Sequence, residues 1–313
     1  MLRYKADRRT LVFVTTYFAL VAVMWVWDPD QWYVAAPVIV VLSSLSWICA
    51  VITHNTIHCA IFASRKLNKA FQVVLTLTYG HPVSSYVSGH NLSHHMYMQQ
   101  ARDVMRTTKV DYRWNLMNLL AFVPTVGGAV TKGDFAFAKT MRKQRPRWFK
   151  QFAVEAIALV VVTVGLFILD WRKALLYFYV PHLWAAWGII AINFLQHDGT
   201  DETSPWNHSR NFVGRAFGWL TFNNGFHGIH HMHPNLHWSL LRDAHAKELA
   251  PHIHPNLDQP SIALYTWGAF IWPGKRIRYD GSPYIMPPAM PDQSWLPEAR
   301  AEDLPENALG AES

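Results

Sequence analysis

Residues 32–58, WYVAAPVIVVLSSLSWICAVITHNTIH, decide how the rest of the chain is read. Positions 32–53 are apolar and long enough to cross a bilayer, which takes about 20 residues at 1.5 Å each. No breaker stands near the end of the run. The helix is therefore expected to continue over 48–60 and to protrude from the bilayer, carrying His54 and His58 with it. Four residues apart, the two imidazoles share one helical face and can reach one site.

Three more apolar runs have the same length class: 11–27, 152–169 and 174–196. Half of the chain is hydrophobic (51%), only 16% is charged, and 15 residues are tryptophan. This composition argues against soluble domains. The expected fold is an all-α integral membrane protein, with four transmembrane helices in two hairpins and a cytoplasmic helical cap carrying the histidines. Glu155, near the start of the third run, is expected at headgroup depth. The formal charge of +7 could suggest nucleic acid, but its distribution does not. With the loops assigned alternately to two sides, 26 of the 28 Lys and Arg residues fall on one side, and only Arg172 and Lys173 on the other. The positive-inside rule makes the richer side cytoplasmic, so the N-terminus, every histidine cluster and the C-terminus are expected there. The first run lacks a small-x-small cleavage site and reads as a retained anchor. Cys49 and Cys59 face a reducing compartment and are expected to pack as small apolar residues rather than to pair.

Two shorter apolar stretches, 71–79 and 116–130, are expected to lie in the interface and form part of a substrate entrance. Gly80, Pro82, Pro124 and the Gly127-Gly128 pair are expected to interrupt them. The basic run 139–150, KTMRKQRPRWFK, reads as a stop signal on anionic lipid, with a headgroup or acidic-carrier contact as the alternative. Trp25, Trp27, Trp32, Tyr33 and Trp171 read as an interfacial belt. Trp184 and Trp187 are assigned to core packing. The domain proper spans 1–275; the proline-rich, then acidic segment 276–313 is expected to be disordered.

Nine of the 17 histidines fall into three clusters and one single. The clusters are His54-x-x-x-His58, His90-x-x-x-His94-His95 and His227-x-x-His230-His231, and His197 stands alone after the fourth run. His54/His58 alone is weak, since such pairs arise by chance on helices. Three clusters that follow apolar runs on one side are a strong signal for metal. A metal that activates oxygen keeps open positions, so two such ions need about eight to ten protein ligands between them. Asp103, Asp198 and Asp201 are candidates to orient the rings from behind. A histidine-rich metal transporter is the rival reading, but transporters place ion ligands near mid-membrane between broken helices. A single closed zinc site would need only four ligands. Of the other histidines, His182 lies inside the fourth run and is read as either a tunnel lining or a partner for a freed backbone carbonyl. His233 and His237 are read as support or packing.

On these residues the chain resembles the membrane fatty acid desaturase and hydroxylase superfamily, whose members carry three histidine boxes and a di-iron site. The resemblance covers residues 40–275. The acyl desaturases have a further His after the fourth span with an Asn four residues earlier, and Asn193-Phe194-Leu195-Gln196-His197 reproduces that pair. His231-Met232-His233-Pro234-Asn235-Leu236-His237-Trp238 is similar to the continuation of the third box in acyl-lipid desaturases. The resemblance implies His54, His58, His90, His94, His95, His197, His227, His230 and His231 as iron ligands, with Asn193 holding a metal-bound water. It also implies two iron ions, dioxygen as co-substrate and a fatty acyl or lipid substrate. Electrons would come from a separate ferredoxin, rubredoxin or b-type cytochrome, and the basic face suits an acidic donor. One departure stands out. The second box has three residues between its first His and the His pair, where many desaturases have two. That spacing is similar to some hydroxylases and alkane monooxygenases. Desaturation is the leading expectation, followed by hydroxylation and then by decarboxylation to a terminal alkene.

Overall fold

In the computed structural model, which describes residues 1–296, the chain is mostly helical. In chain order the principal helices are α1 (Arg8–Trp27), α2 (Trp32–His58), α3 (Arg65–Tyr79), α4 (Asn115–Gln144), α5 (Pro146–Leu169), α6 (Trp171–His197), α7 (Arg215–Leu220) and α8 (His227–Met232). Four are long and apolar enough to cross a membrane: α1 with the turn before it, α2, α5 and α6. They fall on the four expected runs. Contacts divide the described chain into two units, one of Met1–Val87 with Ala138–Ile189 and one of Ser88–Phe137 with residues 190–296. Helices α4 and α6 run from one unit into the other.

In the first unit α1 packs on α2, α2 on α3, and α3 on α5. Helix α3 buries Phe71, Leu75 and Tyr79 along one stripe and leaves its basic residues outside. Ser64 caps its start, accepting from Leu67 N at 3.4 Å, and left-handed Gly80 (φ +81°) ends it. A Cβ on Gly80 would sit 2.8 Å from the His182 ring, so only glycine fits. His182 Nε2 meets Tyr17 Oη at 3.0 Å, which makes it a partner within the helix packing. Glu155 is fully buried: Ser84 N donates to Oε2 at 2.8 Å and Gln151 Nε2 to Oε1 at 2.8 Å. It is thus solvated by protein groups rather than by headgroups. Lys173 Nζ donates to Trp25 O at 3.0 Å, and Tyr177 Oη to Asp28 at 3.0 Å, joining the start of α6 to the end of α1. Of the residues expected in an interfacial belt, Trp27, Trp32, Tyr33 and Trp171 are exposed and Trp25 is half-buried. Trp184 is exposed too and stacks on Trp187 at 5.4 Å, so it does not pack in the core as expected. Cys49 and Cys59 are free, and Cys49 is buried.

In the second unit α4 crosses the sites where a break was expected. Pro124 lies inside the helix, and neither Gly127 nor Gly128 interrupts it. Proline removes one backbone bond and kinks a helix without necessarily ending it, and the rest of a 30-residue helix holds it in register. Phe122, Val126 and Phe137 supply its buried face. A two-residue parallel pairing, Asn211–Phe212 with Asp258–Gln259, ties the polypeptide before α8 to that after it. The segment expected to be disordered, 276–313, lies in part outside the described residues (297–313). Within its described part, Tyr279 N donates to Gly199 O at 2.8 Å, Gln293 N donates to Ala101 O at 3.0 Å, and Trp295 is buried.

Candidate metal centre

Seven of the nine candidate histidines lie in the second unit, where they form two neighbouring groups. His94, His197, His227 and His231 offer ligand nitrogens within 4.8 Å of one another; His90, His95 and His230 do the same. The His197 and His227 Nε2 atoms are 2.8 Å apart, and those of His227 and His231 3.1 Å. In the other group His95 Nε2 lies 3.0 Å from His90 Nε2 and 3.1 Å from His230 Nε2. The rings of His95 and His231 stack at 4.4 Å, so the groups adjoin. His54 and His58 lie in the first unit on the last turns of α2, both buried, with ring centroids 5.2 Å apart.

The second box shows how its spacing works. An α-helix turns about 100° per residue, so His94 would stay near His90 while His95 would swing about 140° away. Val87–His95 is instead a π-helix. Its i→i+5 bonding adds a residue to the turn, so each residue advances only about 80°, and His94 and His95 straddle the direction of His90. The additional residue in the box and the additional residue in the turn cancel. Ser93 fixes this helix to the following loop: its Oγ donates to Arg102 O at 2.7 Å and accepts from Val104 N at 2.8 Å.

The third box sits on α8, whose start is held from behind. Gly228 N donates to Asn211 Oδ1 at 2.8 Å, Asn211 Nδ2 to Asp258 Oδ1 at 2.9 Å, and His245 Nε2 lies 2.9 Å from Asp258 Oδ2. A Cβ on Gly228 would lie 2.6 Å from buried Leu249 Cδ2, which accounts for glycine between the ligands.

Hydrogen bonds set the ring tautomers. Buried Asp103 accepts from Gln99 N at 2.9 Å and Met105 N at 2.8 Å, and faces His94 Nδ1 at 3.0 Å. His94 Nδ1–H therefore donates to the carboxylate. Its Nε2 is left as a lone pair, buried and without a hydrogen-bond partner. His197 Nδ1–H donates to His208 O at 3.2 Å, which turns its Nε2 lone pair toward His227. His231 keeps some surface exposure, yet burial and the imidazoles of His95, His227, His197 and His94 hold its pKa well below the ordinary value. Neutral imidazole is the ligand form.

These are the marks of a cation site. Nitrogens this close share either a proton or a cation, and with the His94 and His197 protons held on Nδ1 the Nε2 lone pairs of those two rings are available to a cation. Two nitrogens bound at about 2.1 Å in adjacent octahedral positions lie about 3.0 Å apart, and opposite ones about 4.2 Å. The observed separations fit a shared ion in each group.

Of the acids expected behind the rings, only Asp103 takes that place. Asp198 instead pairs with Arg276, whose Nε donates to Oδ1 at 2.9 Å, and Asp201 receives Thr203 Oγ1 at 2.7 Å. Both carboxylates find nearer donors than an imidazole. Asn193 is buried, and its Nδ2 donates to Met105 O at 3.3 Å. His233 meets Glu248 at 2.7 Å, and His237 caps the turn at Ser239. Two contributors escape sequence reasoning. His208 supplies the carbonyl that orients His197, and its own ring lies 5.9 Å from His231, its pKa pushed down to about 4 by burial. Arg276 clamps the end of α6: its Nη1 donates to Val110 O at 2.8 Å and its Nη2 to Thr107 O at 3.1 Å, while the guanidinium stacks on Tyr284 at 4.1 Å.

Comparison with known proteins agrees with the site. The family model for fatty acid desaturases matches residues 30–260, which include all nine histidines and Asn193. This chain belongs to the fatty acid desaturase family. It is accordingly a membrane oxidoreductase whose clustered histidines are suited to metal. A search of curated proteins gives no match.

Proposed function

We propose that the chain is a non-haem di-iron enzyme that uses dioxygen and external electrons to desaturate a fatty acyl chain. The observation that carries this reading is the convergence of seven imidazoles into two adjoining groups in the second unit, with Nε2 atoms 2.8–3.1 Å apart. One iron would be held by His94, His197, His227 and His231. The other would be held by His90, His95 and His230, with His54 and His58 added by the family pattern and Asn193 near a bound water. When bound, the iron pair supplies the oxidising power needed to take hydrogen from an unactivated methylene.

The residues supply the rest. Asp103 and the His208 carbonyl keep ring protons on Nδ1, so that Nε2 stays available for metal. An alkyl chain offers nothing to hydrogen-bond, so selectivity must come from holding it at one depth. Two hydrogens leave adjacent carbons; with two electrons from the donor and two protons from water they reduce dioxygen to two waters. A ferredoxin, rubredoxin or b-type cytochrome would supply those electrons. The topology we favour has two helical hairpins and a cytoplasmic histidine-bearing cap, with both termini cytoplasmic. The 26 of 28 cations on one side support it, as does the Lys173–Asp28 pairing of the two outer turns.

The wider second box supports hydroxylation as a second reading. Product analysis by mass spectrometry from cells expressing the chain separates the outcomes. Loss of two hydrogens supports desaturation, gain of one oxygen supports hydroxylation, and a shortened alkene supports decarboxylation. His94→Ala and His230→Ala should each abolish product and lower iron per chain. A parent with one zinc and no reductant-dependent oxygen uptake would overturn the proposal in favour of a metal-handling protein.

A further inference from the structure

Among the described residues of the second unit, one group of exposed apolar side chains gathers around a single junction. The helix Ile262–Ile271 turns Phe270 inward, while Leu264 (74% exposed), Trp267 and Ile271 face outward. Trp272, next in the chain, is also 74% exposed. This segment is pinned to the start of α4. Asn115 N donates to Gly274 O at 2.9 Å, Asn115 Nδ2 to Ala269 O at 2.9 Å, and Trp114 Nε1 to Ile271 O at 3.4 Å. Helix α4 adds Met117 and Leu120, both exposed, beside exposed Trp114.

So many large apolar side chains together mark a surface that is covered in use. The rim identifies the cover. Exposed Arg113 and Lys275 are the chain neighbours of Trp114 and Gly274, so two cations border the junction itself. Asp111, two residues before Arg113, lies 3.9 Å from Arg276 Nη1. Indole rings beside aliphatic side chains, edged by cations, suit the layer where acyl chains give way to anionic headgroups. Two copies meeting through this face would crowd like charges, whereas anionic headgroups neutralise them.

We propose that the face formed by Trp114, Leu120, Leu264, Trp267, Ile271 and Trp272 seats the second unit in the headgroup layer of a bilayer that carries anionic lipid. This seating would keep the metal-binding histidines of that unit next to the pool of lipid chains. It does not depend on which oxidation the site performs.

The test places single nitroxide labels in the full-length chain, with Cys49 and Cys59 replaced by serine. Labels go at Leu120→Cys, Leu264→Cys and Trp267→Cys, with Lys247→Cys as an exposed polar control, in nanodiscs of phosphatidylcholine with or without phosphatidylglycerol. The expected result is an oxygen-to-nickel-chelate accessibility ratio several-fold higher at 120, 264 and 267 than at 247. Adding Arg113→Gln and Lys275→Gln should lower that ratio only in discs with phosphatidylglycerol. Nickel accessibility at 264 and 267 equal to that at 247 would overturn the proposal. So would protection from both relaxants with spin–spin broadening, which would indicate a second copy. Because the readout is spectroscopic, a catalytically silent protein still answers the question.

Discussion

Replacing Arg276 with methionine should be among the most damaging single changes outside the histidines. The Arg276–Asp198 pair is buried from both sides, with side chains 6% and 3% exposed. Methionine keeps the stem but strands the Asp198 carboxylate and removes the donors to Thr107 O and Val110 O. Breaking a buried ion pair from one side costs about 3–5 kcal/mol, most of it the uncompensated charge. For a chain of this size that corresponds to a fall in Tm on the order of 10 °C. The double variant Arg276→Met/Asp198→Asn removes the stranded charge and should recover a large part of the loss. Arg276→Lys should not rescue, since an ammonium cannot bridge a carboxylate and two carbonyls as the planar fork does. Tryptophan-fluorescence melting at one scan rate compares the parent with these three variants and with Asp198→Asn alone. A single variant melting within about 2 °C of the parent, or a double variant whose losses add, would refute the clamp.

Three further outcomes are expected. Asp103→Ala should lower metal affinity by about 10–100-fold, since His94 loses the acceptor that fixes its tautomer; metal titration followed by elemental analysis checks this. Deleting Asn91 returns the second box to an i, i+3, i+4 spacing that an α-helix accommodates, so this variant should retain more metal per chain than His94→Ala. Asp134, bonded to Ser88 Oγ, is raised by burial from 3.8 to about 7. A raised carboxyl pKa favours the protonated form in the fold. Its stabilising contribution is complete below about pH 4 and is lost as pH rises through about 7. The parent should therefore lose stability across that window relative to Asp134→Asn, and melting curves at stepped pH would show it; parallel profiles would contradict the assignment.

The four apolar helices could be read from the residues alone, because hydropathy is a local property and about 20 apolar residues have few other uses. So could the shared face of His54 and His58, since helical periodicity places residues four apart together, and the box pattern placed the chain in its family. The rest became legible in the folded chain. Whether Pro124 ends a helix depends on what the flanking turns pack against, and here α4 continues through it. The meaning of the wide second box depended on helix winding, for His95 rejoins His90 only on a π-turn. The partners of the aspartates were settled by distance in space: Asp103 finds His94 nine residues away, while Asp198 finds Arg276 78 residues on. No local pattern marks one arginine among 28 cations as the residue that closes the end of α6. Burial and long-range hydrogen bonds choose partners by geometry, and that geometry exists only once the chain has folded.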